Sequence, residues 1–172
     1  LLRATAFRQG VACNHGDRRE LLIAGVPVGR ELKTAAVHPA GDDGSIIVIL
    51  ATDAPLLPTQ LRRVARRITL GLAHCGSYSG TESGDLFLAF STREPDRSSA
   101  RELALPFVPE ERIDPLFLAT VRATEEAIIN ALVAAKTMTG FRGRTIEALP
   151  HDRLQELLRR HGRLKESAHE ER

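Results

Sequence analysis

Apolar residues gather in a few stretches of this chain, and the stretches differ in period. Residues 46–50, Ile-Ile-Val-Ile-Leu, form an unbroken β-branched and apolar run. Such a run predicts a strand over 45–52 that is buried on both faces. Residues 85–92, Asp-Leu-Phe-Leu-Ala-Phe-Ser-Thr, predict a second buried strand. Shorter strands are expected at 10–13 and 20–24, joined by the turn-forming segment Asn-His-Gly-Asp-Arg-Arg. Residues 25–44 then read as loop.

Between 55 and 74 the period changes. Leu57, Leu61, Val64, Ile68 and Leu72 recur at three- and four-residue steps, the stripe of one amphipathic helix. Arg62, Arg63, Arg66 and Arg67 lie largely off that stripe, as a solvated polar face rather than a phosphate site. A longer helix is expected from Asp114, as N-cap with Pro115 at the first helical position, to about 137. Phe117, Val121, Ile128, Leu132 and Ala135 line one side of it, and glycines at 140 and 143 break it. A last short helix over 152–160 buries Leu154, Leu157 and Leu158, and the charged tail beyond it frays. Strands and helices in this order predict a mixed α/β architecture with helices packed on sheet.

Length and composition narrow the function classes. The 172 residues suffice for one domain with a real core, and the apolar and charged fractions, 42% and 27%, are those of a globular protein. A net charge of +2 and 4% aromatics without Trp argue against nucleic acid or an anionic membrane as partner. No apolar run approaches the roughly 18 to 20 residues of a spanning helix. Cys13 and Cys75 fit neither a metal spacing nor a disulfide framework and read as free thiols. The chain begins Leu-Leu-Arg, without Met or a recognisable leader, so a start lying upstream is expected.

Familiar catalytic signatures mostly fail. There is no Gly-x-Ser-x-Gly elbow and no phosphate-binding P-loop. His15, His38, His74, His151, His161 and His169 are scattered without metal spacing. Asp42 and Asp43 read as turn residues rather than calcium ligands. No cofactor or metal is implied. What stands out is Ser45, delivered directly behind Gly44 to the head of the strongest strand. Two readings stay open on these residues alone. Gly-Ser is a common turn. Equally, a serine hydroxyl can attack the carbonyl of the residue before it, shifting the acyl group from nitrogen to oxygen. Hydrolysis of that ester makes the serine a new N-terminus. Gly44 has no Cβ to obstruct the attack, and the freed amine, titrating near pH 8, could serve as base beside the hydroxyl.

Four blocks bear on the choice: 13–30, beginning Cys-Asn-His-Gly; 43–73, beginning Asp-Gly-Ser-Ile; 76–92, containing Glu-Ser-Gly-Asp; and 125–140. Together, and in this order, they resemble the self-processing L-aminopeptidase/D-esterase family, which includes the β-aminopeptidases. The resemblance covers roughly residues 10–158. It implies part of a four-layer αββα sandwich, similar to that of N-terminal-nucleophile hydrolases but with different connectivity. It also implies autocleavage between Gly44 and Ser45, with Ser45 as nucleophile. The family's second serine and nearby carboxylate fall on Ser83 and Asp85, and its oxyanion-hole asparagine on Asn14. Taken without the family, Ser83 and Asp85 are a loop serine and a strand-entry aspartate, and Asn14 is a good turn residue.

The resemblance divides the chain into the end of an α part (1–44), a β part (45–161) and a tail (162–172). Its implied partners are a small peptide, amide or ester substrate, an α and a β part that stay associated after cleavage, and a homo-oligomer. A cytoplasmic setting is expected, or a periplasmic one if a signal preceded Leu1. Complete members are about twice as long, with nearly all the difference upstream. A sandwich without that part should expose strand edges and apolar surface. The alternative is therefore an inactive fragment or pseudoenzyme acting by association. A geometric expectation also follows. If the strands headed by Ser45 and Asp85 lie side by side, both heads meet at one sheet edge, with Ser83 just before and Asn14 at the end of another strand.

Overall fold

A computed structural model describes residues 7–13, 17–32, 44–94, 105–143 and 145–164. Its centre is a three-stranded sheet of order β1-β2-β3, with β1 Phe7–Cys13, β2 Ile46–Thr52 and β3 Leu86–Ser91. β1 runs antiparallel to β2, opposing Cys13 to Ile46 and Phe7 to Thr52. β2 and β3 are parallel, from Ile47 beside Leu86 to Thr52 beside Ser91. Parallel neighbours need a crossover, and the helical segment between them supplies it.

Ile46, Val48 and Leu50 point into the helical layer and are fully buried. Below Ile46 and Val48 the core is built of Ile68, Leu72, Cys75 and Ile128. Around Leu50 it is built of Ala54, Leu56, Val64, Val108, Ile113 and Leu116. The opposite face is open. Ile47 and Ile49 are 47% and 45% exposed, and Leu86, Leu88 and Phe90 stand beside them at 56%, 50% and 42%. Neither strand is thus buried on both faces, against the expectation from its unbroken apolar run. The apolar surface expected of an incomplete sandwich is this face.

The stretch expected as one helix over 55–74 is two: α2 Pro58–Ala65 and α3 Ile68–His74. The chain stays extended through the buried Leu56 to Leu57, and Pro58 opens the first turn. Gln60 steadies that start. Its Oε1 accepts from the Leu57 N–H at 3.2 Å, and its Nε2 donates to the Val108 carbonyl at 2.6 Å. At the break, the Arg67 N–H donates to Val64 O rather than to Arg63 O. The Arg67 guanidinium takes over Arg63 O at 3.0 Å and stacks on Phe117, 3.8 Å from its ring centre. Arg63 pairs with Glu110. Two of the four arginines therefore hold the helical layer together instead of lying free in solvent.

The long helix, α4 Asp114–Ala134, begins one position earlier than expected, with Ile113 as N-cap, and ends at Ala134, so Ala135 lies beyond it in extended backbone. α3 packs on α4 closely enough that a Cβ at Gly71 would stand 2.4 Å from Thr124 Cβ. After α4, short strands β4 Met138–Thr139 and β5 Thr145–Ile146 pair antiparallel.

Residues 20–24 are not a strand. Arg18–Glu20 is a turn of 3-10 helix whose first turn Asp17 caps, accepting from the Arg19 N–H at 2.9 Å. Hydrogen bonds from the Arg19 side chain and backbone hold the Asp17 carboxyl below its ordinary value. Ile23 and Val26 then exchange backbone hydrogen bonds across a tight turn in which Ala24 and Gly25 have φ of 52° and 77°. The segment expected to be all loop holds a short helix, α1 Val28–Glu31. Ile23, Val26, Val28 and Leu32 pack with Leu154, Leu157 and Leu158 of α5 His151–Arg160 as a satellite core.

Candidate active site

The parallel register settles what meets at the head of the sheet. Ile47 pairs with Leu86, so one step upstream Ile46 faces Asp85, and two steps upstream Ser45 faces Gly84. The Asp85 carboxylate accepts from the Ile46 backbone N–H at 3.2 Å and from Ser83 Oγ at 2.5 Å through the same oxygen, Oδ1. Its other oxygen, Oδ2, accepts from Ser79 Oγ at 2.7 Å. The Gly84 N–H donates to Ser45 Oγ at 3.0 Å. Glycine allows that approach, since a Cβ at position 84 would stand 3.2 Å from Ser45 Oγ.

Each group is placed by its local sequence. Ser45 is half-buried because it is the last residue before the fully covered Ile46, and Gly44 before it is buried. The loop from Cys75 returns through small residues, closes a turn from Gly80 to Ser83 with a 2.9 Å hydrogen bond, and feeds into β3. Asp85 stops short of the apolar strand and is half-buried at its mouth. Hydrogen bonds to an ionised carboxylate are short and strong. The short ones here come from Ser83 and Ser79, and the longer one, at 3.2 Å, ties Asp85 to the backbone of Ile46 beside Ser45.

The expected meeting of Ser45, Ser83 and Asp85 at one edge therefore occurs. β1 ends at the same edge, with Cys13 opposite Ile46, whereas Asn14 lies outside the described residues. Ser79 is the group that sequence reasoning missed. Nothing in Gly-Ser-Tyr-Ser-Gly marks it apart from Ser77, and only the fold of the loop turns it toward Asp85. Among the described residues no cluster of three or more His, Cys, Asp or Glu side chains is placed to hold a metal ion. A shallow hollow lined by Pro55, Leu56, Ser91 and Arg93 lies at the opposite end of the strands, away from this chemistry.

A hydroxyl that receives a backbone N–H bond, beside a carboxylate tied to a second hydroxyl, is a preorganised setting for acyl transfer. Superposition on solved structures gives the class, a variant of the N-terminal-nucleophile hydrolase fold. The structure superposes on the L-aminopeptidase D-Ala-esterase/amidase of Ochrobactrum anthropi, a prototype of the serine aminopeptidases with that fold variant. The TM-score is 0.75 at 39% identity, over 94% of this chain and 48% of that one. It also superposes on the PH0078 protein of Pyrococcus horikoshii OT3, with a TM-score of 0.79 at 42% identity, over 92% of this chain and 47% of that one.

The model of peptidase family S58 matches residues 8–146, and the chain belongs to that family. A beta-peptidyl aminopeptidase, BapA of Sphingosinicella microcystinivorans, is 43% identical over 170 residues, covering 90% of this chain and 43% of its own length. The chain thus spans about half the length of the relatives it matches.

Proposed function

We propose that this protein is a self-cleaving serine aminopeptidase of the N-terminal-nucleophile type, with Ser45 as its nucleophile. One observation carries the reading: the Gly84 N–H on Ser45 Oγ at 3.0 Å, with Asp85 anchoring the adjoining Ile46 N–H at 3.2 Å. In maturation Ser45 Oγ attacks the Gly44 carbonyl carbon through a five-membered ring. The C–N bond breaks, the proton of the hydroxyl passes to the Ser45 nitrogen, and water hydrolyses the resulting ester. Ser45 then carries hydroxyl and α-amine together. Such an amine titrates near pH 8 in model peptides, so a useful fraction is neutral at physiological pH.

In turnover that amine takes the proton from Oγ as the hydroxyl attacks the substrate carbonyl. Ser83 and Asp85 orient the pair and pass protons between them, and Asn14 donates to the oxyanion. Loss of one such donor costs roughly 3 to 4 kcal/mol of barrier. The proton then moves to the leaving amine or alcohol, and water releases the acyl group from Ser45. Substrates are small peptides, amides or esters with a free N-terminal amino group. The α and β parts remain associated, within a homo-oligomer.

The test is hydrolysis of amino-acid p-nitroanilides by the full-length gene product, compared with the same compounds acetylated at nitrogen. Cleavage confined to the free amines, and lost in Ser45→Ala, is expected. Equal cleavage of the acetylated compounds, or activity that survives Ser45→Ala, would contradict the reading.

A further inference from the structure

We infer that Ser79 is a positioning residue of this site, acting on Ser45 through Asp85. The inference rests on the proposed role of Ser45 and extends it to a loop residue that bonds Asp85. Three observations carry it. First, Ser79 Oγ donates to Asp85 Oδ2 at 2.7 Å, while Ser83 Oγ and the Ile46 N–H both use Oδ1. Turning the carboxylate about its Cβ–Cγ bond would carry Oδ1 away from Ile46 and Oδ2 away from Ser79. A donor on each oxygen locks that rotation, and with it the start of β2.

Second, Ser79 adopts φ of 49°, in the left-handed region. A residue with a Cβ is uncommon there, and such strain persists where surrounding structure holds it. Here the strained turn aims the hydroxyl back across the loop to Asp85. Third, the Ser79 N–H makes a long contact to Ser77 Oγ, 3.4 Å, within the same loop. Glycine would fit this backbone with less strain than serine. The hydroxyl is therefore what the position offers, and its partner is the carboxylate.

Ser79 is exposed, so water can replace its hydroxyl and the charge of Asp85 stays solvated. What is lost on removal is orientation, and the expected cost is about tenfold in rate. Ser79→Gly and Ser79→Asn separate this role from a structural one. Glycine relieves the strained φ while deleting the donor. Asparagine tolerates the left-handed region and restores an N–H donor on the same side.

The experiment follows self-cleavage rate, kcat and KM on an amino-acid p-nitroanilide, and Tm, for the full-length protein and both variants. The expected result for Ser79→Gly is a Tm equal to or above the parent's, a roughly tenfold fall in kcat with KM unchanged, and slower self-cleavage. Ser79→Asn should recover most of the rate. Unchanged kcat in Ser79→Gly, or a loss that tracks a fall in Tm, would overturn the inference while leaving the proposed function standing. A parent that neither cuts itself nor hydrolyses the anilide would overturn both.

Discussion

The two faces of the central sheet share one composition and meet opposite fates. On one face Ile46, Val48 and Leu50 are sealed against α2, α3 and α4. On the other, Ile47, Ile49, Leu86, Leu88 and Phe90 form a contiguous apolar surface left about half exposed. A solvated sheet face ordinarily alternates to polar residues, as period-two patterning allows. The open face of β2 and β3 did not change its chemistry to suit water. Its side chains are those of a face that packs, in a chain that spans about half the length of its relatives. The polar site stands where the two faces end, on the edge both share.

The largest expected difference between the faces is in truncation. Leu50→Ala should cost about 2 to 5 kcal/mol, because it empties a fully enclosed position. Ile49→Ala, 45% exposed, should cost less than about 1 kcal/mol. Urea unfolding of both variants reads this directly. Equal costs would break the comparison and show the second face to be covered in solution.

Next in size is Gly71→Ala, which sharpens the comparison by overfilling the sealed side. The new Cβ would stand 2.4 Å from Thr124 Cβ and 2.7 Å from the Val121 carbonyl, so α3 and α4 must part. A loss of about 1 to 3 kcal/mol is expected despite the better helix propensity of alanine. A neutral or higher Tm would show that the helical layer has slack.

The smallest effect should come from Asp17, which belongs to neither face. Its carboxyl lies below the ordinary value of about 3.9 because Arg19 donates to its charged form. The stabilisation is therefore present above that pH and is lost as pH falls through the lowered value. Asp17→Asn should differ slightly from the parent at pH 6, and thermal unfolding should show the difference shrinking as acid takes the carboxyl through its lowered value.

β2 and β3 were legible because their signal is local, whereas the residues of the site were implied by the family resemblance. An apolar run headed by Ser45 and another headed by Asp85 need only lie parallel for the polar heads to meet. The break between α2 and α3 was hidden, because Val64, Ile68 and Leu72 keep the four-residue step straight through it. At the break the Arg67 guanidinium takes Arg63 O and, at long range in sequence, the Phe117 ring. The turn of helix at Arg18–Glu20 was hidden for a related reason: Leu21 to Ile23 are apolar, yet Leu21 and Ile23 pack in the satellite core with α5 rather than pair in the sheet. The open face could not be read from β2, since Ile46 to Leu50 is apolar at every step. Ser79 depended on a positive φ that no neighbouring residue announces.

The most direct measurement is intact mass, under denaturing conditions, of freshly purified full-length protein beside a Ser45→Ala control. The account predicts two species, one ending at Gly44 and one beginning at Ser45, with a single uncut chain in the control. One uncut mass in both samples, or the same cleavage in both, would contradict Ser45 as a self-activated nucleophile.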